Sequence, residues 1–391
     1  MKITVPKEFT QRTVLYLSIL ISATLDILFT CDILPNSNGM RALRYLMLVL
    51  PIVLCITAYL TKGIRKKFVP ELKRAIMMTV VLLIVSLIKS INVGRMTVES
   101  FLQLFQIFIP FLYAYIVVND LNERMILSLM RILLAITTIG YLIWVIKNAS
   151  HGIRFSFSIL GIESPFECGN IAEVASGLAA FFIYYRKKAP ISCMIAVIMN
   201  LMISKRILIF MMLVLLICTM LDKQDDKISN RTLNIAIFGT VACVWVLYML
   251  YQPENAMEFE RIFKVSPVAL SVGRVYRLWY CLERGFRSYG LASTTAFLSE
   301  NSVGYLGFEF EMDLIRFMYE LGTIAVAAFV YTYLKNTRNN KYCFILILFC
   351  LLNLLMANGI VKYLGYTYRL ITIALINYGE PFQIQLREKN K

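Results

Sequence analysis

Two groups of residues in this 391-residue chain have the types and spacing to do chemistry. The first is a run of arginines, Arg274, Arg277, Arg284 and Arg287, preceded by Gly273 and interleaved with Tyr276, Trp279 and Tyr280. Arginine presents a rigid fork of donors that matches phosphate oxygens. Arg274 and Arg277 are three apart, so a helix would place them on one face. The plain alternative is a solvated amphipathic helix whose arginines meet lipid headgroups and whose aromatic rings rest at the membrane–water boundary. The second group is Glu309-Phe310-Glu311-Met312-Asp313, followed by Arg316 and then Tyr319-Glu320-Leu321-Gly322. A carboxylate that is partly desolvated can serve as a general base. Acidic residues at a helix start also complement the macrodipole, which is the bland account of the same pattern. On a regular helix Glu311 and Asp313 would point about 200° apart, so only one would face a given site.

Arg206 is a third candidate. It follows Ser204 and Lys205 between two apolar runs, with no acidic neighbour in sequence. It would either snorkel to an interface or point into a polar cavity and bind an anion. Arg131, Glu173 and Arg369 fall inside apolar runs, where ionisable groups are either functional or paired with one another.

The elements that must position these residues are membrane helices. Hydrophobic residues make up 59% of the chain and charged residues 16%, where a soluble domain carries about a quarter charged. The apolar runs are continuous rather than alternating, and most reach about 18 to 22 residues, the length a helix needs to cross a bilayer core. The predicted fold is an all-α polytopic membrane protein of about twelve transmembrane helices. The predicted spans are 14–31, 43–60, 75–90, 101–118, 126–147, 168–185, 190–203, 207–221, 232–251, 313–334, 342–357 and 363–378. Residues 1–391 read as one integral membrane domain. A large extracytoplasmic loop over 252–312, between the ninth and tenth helices, carries the arginine run.

Basic residues concentrate in alternate connections: Lys62, Arg65, Lys66, Lys67, Lys73 and Arg74 in one, Arg186, Lys187 and Lys188 in another. By the positive-inside rule these are cytoplasmic, both termini lie inside, and the long loop lies outside. The same rule accounts for most of the net charge of +16, so a nucleic-acid partner is not expected. The nine cysteines stand singly without C-x-x-C spacing and read as small apolar residues, and a single histidine, His151, argues against a His-based metal site. No cleavable signal is evident.

The segments Ile203-Ser204-Lys205-Arg206, Gly273-Arg274 followed by Trp279, Ser288-Tyr289-Gly290-Leu291-Ala292-Ser293, and Glu311-Met312-Asp313-Leu314-Ile315-Arg316-Phe317-Met318-Tyr319-Glu320-Leu321-Gly322 resemble bacterial polysaccharide polymerases of the Wzy type, relatives of the O-antigen ligases. The resemblance implies a GT-C-like membrane glycosyltransferase in the bacterial cytoplasmic membrane, acting on its outer face. The donor would be a growing glycan on undecaprenyl diphosphate and the acceptor a second lipid-linked repeat unit. In the ligases the stretch like Glu311–Gly322 often begins His-Asn, and this chain has Glu311 and Met312 there, which favours a polymerase over a ligase. The base would then be Glu311 or Asp313. The donor diphosphate would be held by Arg206 and Arg274, with Arg277 beside them, and Arg154, Asn170 and Glu173 would line the same cavity. The donor is already activated, so no cofactor is implied. Arginines take the place of a metal, so no essential cation is expected. A chain-length regulator and a flippase would be protein partners. The competing readings are an O-antigen ligase and a polysaccharide flippase or secondary transporter, whose mark would be repeated halves with interrupted helices at matching positions.

Overall fold

The computed structural model describes residues 7–30, 34, 37–63, 65–150, 168–203, 205–221, 224–301, 310–357, 359–360 and 362–378. Of the residues singled out above, His151, Arg154, Ser204 and Glu309 lie outside these. Asn170 is described by its backbone alone.

No β-strand occurs among the described residues. Among the described residues nine helices precede the long loop: α1 (Lys7–Thr30), α2 (Asn38–Lys62), α3 (Val69–Val93), α4 (Val98–Asp120), α5 (Glu123–Ser150), α6 (Gly169–Tyr184), α7 (Pro190–Ile203), α8 (Arg206–Met220) and α9 (Asn230–Leu250). Their starts follow local chemistry. Ser37 accepts the Met40 N–H at the head of α2, Ser229 accepts the Thr232 N–H at the head of α9, and Pro190 opens α7. The described residues of the loop include helices of their own. After a 3-10 turn at Pro253–Asn255 come α10 (Ala256–Phe263), α11 (Pro267–Leu270), α12 (Val275–Glu283) and α13 (Ser293–Asn301). Four more helices follow: α14 (Asp313–Leu321), α15 (Thr323–Lys335), α16 (Lys341–Met356) and α17 (Tyr363–Tyr378).

Each span predicted from hydropathy overlaps a helix, the tenth two of them. Among the described residues five segments are long and apolar enough to cross a membrane: Gln11–Phe29, Val69–Val93, Val98–Asp120, Glu123–Lys147 and Asn230–Leu250. The tenth span, predicted as one run over 313–334, is corrected. Gly322, at φ +86°, divides it into α14 and α15. At 1.5 Å per residue, α14 is about 14 Å long and could not cross a hydrocarbon core of about 30 Å. Nor is it dressed for lipid: of its residues only Tyr319 is not buried, whereas α9 leaves Ile235, Phe238 and Trp245 exposed.

Within the single membrane domain expected from the sequence, the chain packs as two compact units. One comprises Met1–Leu72, Pro110–Thr219 and Leu364–Lys391; the other comprises Lys73–Ile109 and Met220–Tyr363. The units interleave along the chain, so neither is a sequence-contiguous half.

Candidate functional site

The second unit joins the two chemical groups read from the sequence. Ser266 caps α11, and the chain then turns through Val272 and Gly273, both left-handed at φ +52° and +76°. A β-branched residue in this region is strained. The turn delivers Arg274 to the head of α12. There the Ser271 hydroxyl accepts the Val275 N–H at 3.1 Å, and the Ser271 carbonyl accepts from Arg274 Nη1 at 3.4 Å. Trp279 Nε1 donates to the Tyr251 carbonyl at 2.7 Å and ties α12 to the end of α9. Arg274 Nε, so placed, donates to Glu311 Oε2. Both side chains remain accessible, at 28% and 30%. Arg277, one turn along α12, is half-buried; Arg284 lies over the Tyr280 ring and, like Arg287, is exposed.

Glu311 and Asp313 part for a reason the helical spacing did not contain. Met312, fully buried, sits at φ +82° ahead of α14, so Glu311 is not on the helix at all. Asp313 turns inward and is fully buried. Its Oδ2 accepts the N–H groups of Gly359 at 2.6 Å and Ile360 at 2.9 Å, and its Oδ1 lies 2.9 Å from Arg316 Nη2. Of the two carboxylates, Glu311 is the one open to a ligand. Asp313→Ala should destabilise the folded protein by about 3–5 kcal/mol, the cost of stranding a buried partner charge, here Arg316. Denaturant unfolding of the purified protein in detergent would measure it, and a change under 1 kcal/mol would remove Asp313 from this structural role.

Sequence reasoning overlooked a second polar cluster in this unit. Glu320 is fully buried on α14. Its carboxylate accepts the Ala292 N–H at 3.0 Å and the Thr294 N–H at 2.9 Å, and the Thr294 hydroxyl as well. Around it the motif Ser288–Ser293 is stapled by serines of α3 and α4. Ser86 Oγ accepts the Leu291 N–H at 3.2 Å, Ser90 Oγ donates to the Tyr289 carbonyl and Ser100 Oγ to the Leu291 carbonyl, each at 2.6 Å. The signal was available: Asp313, Arg316 and Glu320 share one helical face, as do Ser86 and Ser90. Burial pushes the Cys281 thiol up to about 12, with the Glu320 carboxylate adding to the rise, which keeps it from acting as a thiolate nucleophile. The Tyr289 phenol is raised by burial too, against the lowering influence of Arg95, whose guanidinium lies 4.8 Å from the ring centre.

The first unit holds the remaining candidates. Arg206 is the exposed first residue of α8. Glu173 is fully buried, with Lys205 Nζ 2.9 Å from Oε1 and Arg369 Nη2 2.8 Å from Oε2. Arg131 is exposed and reaches the Lys188 carbonyl at 3.4 Å. Arg274, Arg277, Glu311 and Asp313 thus belong to one unit, and Arg206, Asn170 and Glu173 to the other. Comparison of the chain with models of known protein families, with curated proteins and with solved structures finds no match.

Proposed function

We propose that this protein is a polysaccharide polymerase of the Wzy type, a membrane glycosyltransferase that moves a growing glycan from undecaprenyl diphosphate onto a lipid-linked repeat unit. The observation that carries the reading is the pairing of Arg274 with Glu311 across 37 residues of chain. Stability does not account for the pair, because an ion pair this accessible contributes only about 0–1 kcal/mol. An anion holder and a proton acceptor side by side are what transfer from a diphosphate donor requires. The acceptor hydroxyl oxygen bonds to C1 of the donor sugar as the C1–O bond to the diphosphate breaks. The hydroxyl proton passes to Glu311, and the leaving diphosphate keeps the bonding electrons. Arg274, with Arg277, meets the charge that develops there; Arg206, in the other unit, is read separately as a binding residue for a lipid-linked diphosphate. Glu311 and the Ser271 carbonyl engage two of the five guanidinium donors of Arg274, so a phosphate has others to address.

The reading places the loop 252–312 outside the cytoplasmic membrane. Cysteines introduced at Asn255 and Asn301 should react with a membrane-impermeant thiol reagent in intact cells, and ones at Lys66 and Lys187 should not; the opposite pattern would invert the orientation. The reaction is tested by a deletion strain. Loss of the polymer ladder with one repeat unit retained on the surface is the expected result. Loss of all surface glycan would point to a ligase or a flippase. The break at Gly322 favours a transporter, where discontinuous helices line the substrate path.

A further inference from the structure

In the first unit, α6 and α17 meet backbone to backbone. A Cβ added at Gly365 would stand 2.7 Å from the carbonyl oxygen of Glu173, and one at Gly177 would stand 2.9 Å from that of Gly365. Small residues permit this approach between membrane helices. The Glu173 carboxylate is set at the contact. Arg369, buried on α17, donates through Nη2 to Glu173 Oε2 and to Ser176 Oγ, which closes the seam from the other helix. The other oxygen, Oε1, takes Lys205 Nζ at 2.9 Å. Lys205 has a particular place in the chain. Its carbonyl accepts the N–H groups of both Leu208 and Ile209 at 3.0 Å, so it is the residue from which α8 is hung. The next residue is Arg206.

We propose that Glu173, braced by Arg369, is a positioning residue for Arg206: through Lys205 it fixes the first turn of α8 and so the direction in which the Arg206 guanidinium is offered to a lipid-linked diphosphate. This rests on the donor-binding role given to Arg206 above. The physical reason is that a guanidinium recognises phosphate through a fork of fixed geometry, and a misplacement of about 1 Å is enough to cost most of that recognition. A residue at the open start of a helix has no such precision unless its neighbour is anchored. Lys205 is the neighbour, and it is pinned to the seam of two helices that cannot slide.

The test is a double-mutant cycle on the purified full-length protein in nanodiscs, with undecaprenyl diphosphate as the probe. Glu173→Gln keeps the shape of the side chain. Lys205→Met cuts the link while leaving the Glu173–Arg369 pair in place, and it serves if the glutamine variant does not fold. Each should weaken probe binding by about 10-fold, within the range for coupling through a shared ion-pair network. In an Arg206→Ala background neither should weaken it further. Losses that add to that of Arg206→Ala, or wild-type binding by both variants where Arg206→Ala itself binds weakly, would overturn the proposal. A second measurement separates it from the donor reading. In a cysteine-free background, Lys205→Met should change the rate at which a thiosulfonate reagent labels Arg206→Cys severalfold, with no change at Ile191→Cys, an exposed control on α7. An unchanged rate at position 206 overturns the positioning role. Wild-type probe binding by Arg206→Ala, with the labelling change present, removes the donor assignment and leaves the positioning role standing.

Discussion

Arg274→Ala is expected to lower polymer synthesis on the order of 100-fold or more, the loss seen when a preorganised donor to a developing negative charge is removed. Arg274→Lys should recover little, because an ammonium keeps the charge and loses the planar fork. The assay is the polymer ladder of a deletion strain carrying each variant, normalised to the amount of protein in the membrane. That amount should not fall. Arg274 stands at the head of a loop helix with its side chain accessible, and the neighbouring N–H of Val275 is held by Ser271 rather than by Arg274 itself. A near-normal ladder from the alanine variant would return Arg274 to the role of a headgroup contact.

Glu311→Gln is expected to stop turnover while leaving the donor bound. The amide keeps the length of the side chain and still offers an oxygen to Arg274, but it cannot take a proton from an acceptor hydroxyl. General-base catalysis contributes typically about 10²–10⁴-fold, so the rate should drop by at least the lower figure. Binding of undecaprenyl diphosphate to the purified variant should match the wild type. Asp313→Asn should behave differently, losing folded protein before it loses rate, since its carboxylate holds the Gly359 and Ile360 N–H groups and Arg316. A Glu311→Gln enzyme with full activity would end the assignment of Glu311 as base whatever happens at Arg274.

Helix positions were legible from hydropathy because apolar runs of membrane-spanning length leave the backbone little alternative to a helix. The break at Gly322 was not. A glycine inside an apolar run usually continues a membrane helix, and the left-handed turn here is a property of the packing around α14. The helices of the loop were only partly legible: Phe259 and Phe263, or Val275, Leu278 and Cys281, carry a helical spacing, but the segment reads first as polar. Arg274 and Glu311 could each be named from type and neighbourhood. Their pairing could not, because nothing in a linear chain reports a contact across 37 residues. Lys205 read as a connector between two spans, and its tie to Glu173 is likewise long-range, 32 residues apart.

Helix α14 has a consequence for how this part of the chain can vary between related sequences. Its two buried carboxylates sit seven positions apart and each grips the backbone of a different loop, Asp313 the one at 359–360 and Glu320 the one at 292–294. One residue added or removed between them turns the second carboxylate by about 100° and shifts it by about 1.5 Å, which frees one loop whichever end is kept. A conservative substitution keeps this register; a change of length does not. Insertions and deletions should therefore be purged between Asp313 and Glu320.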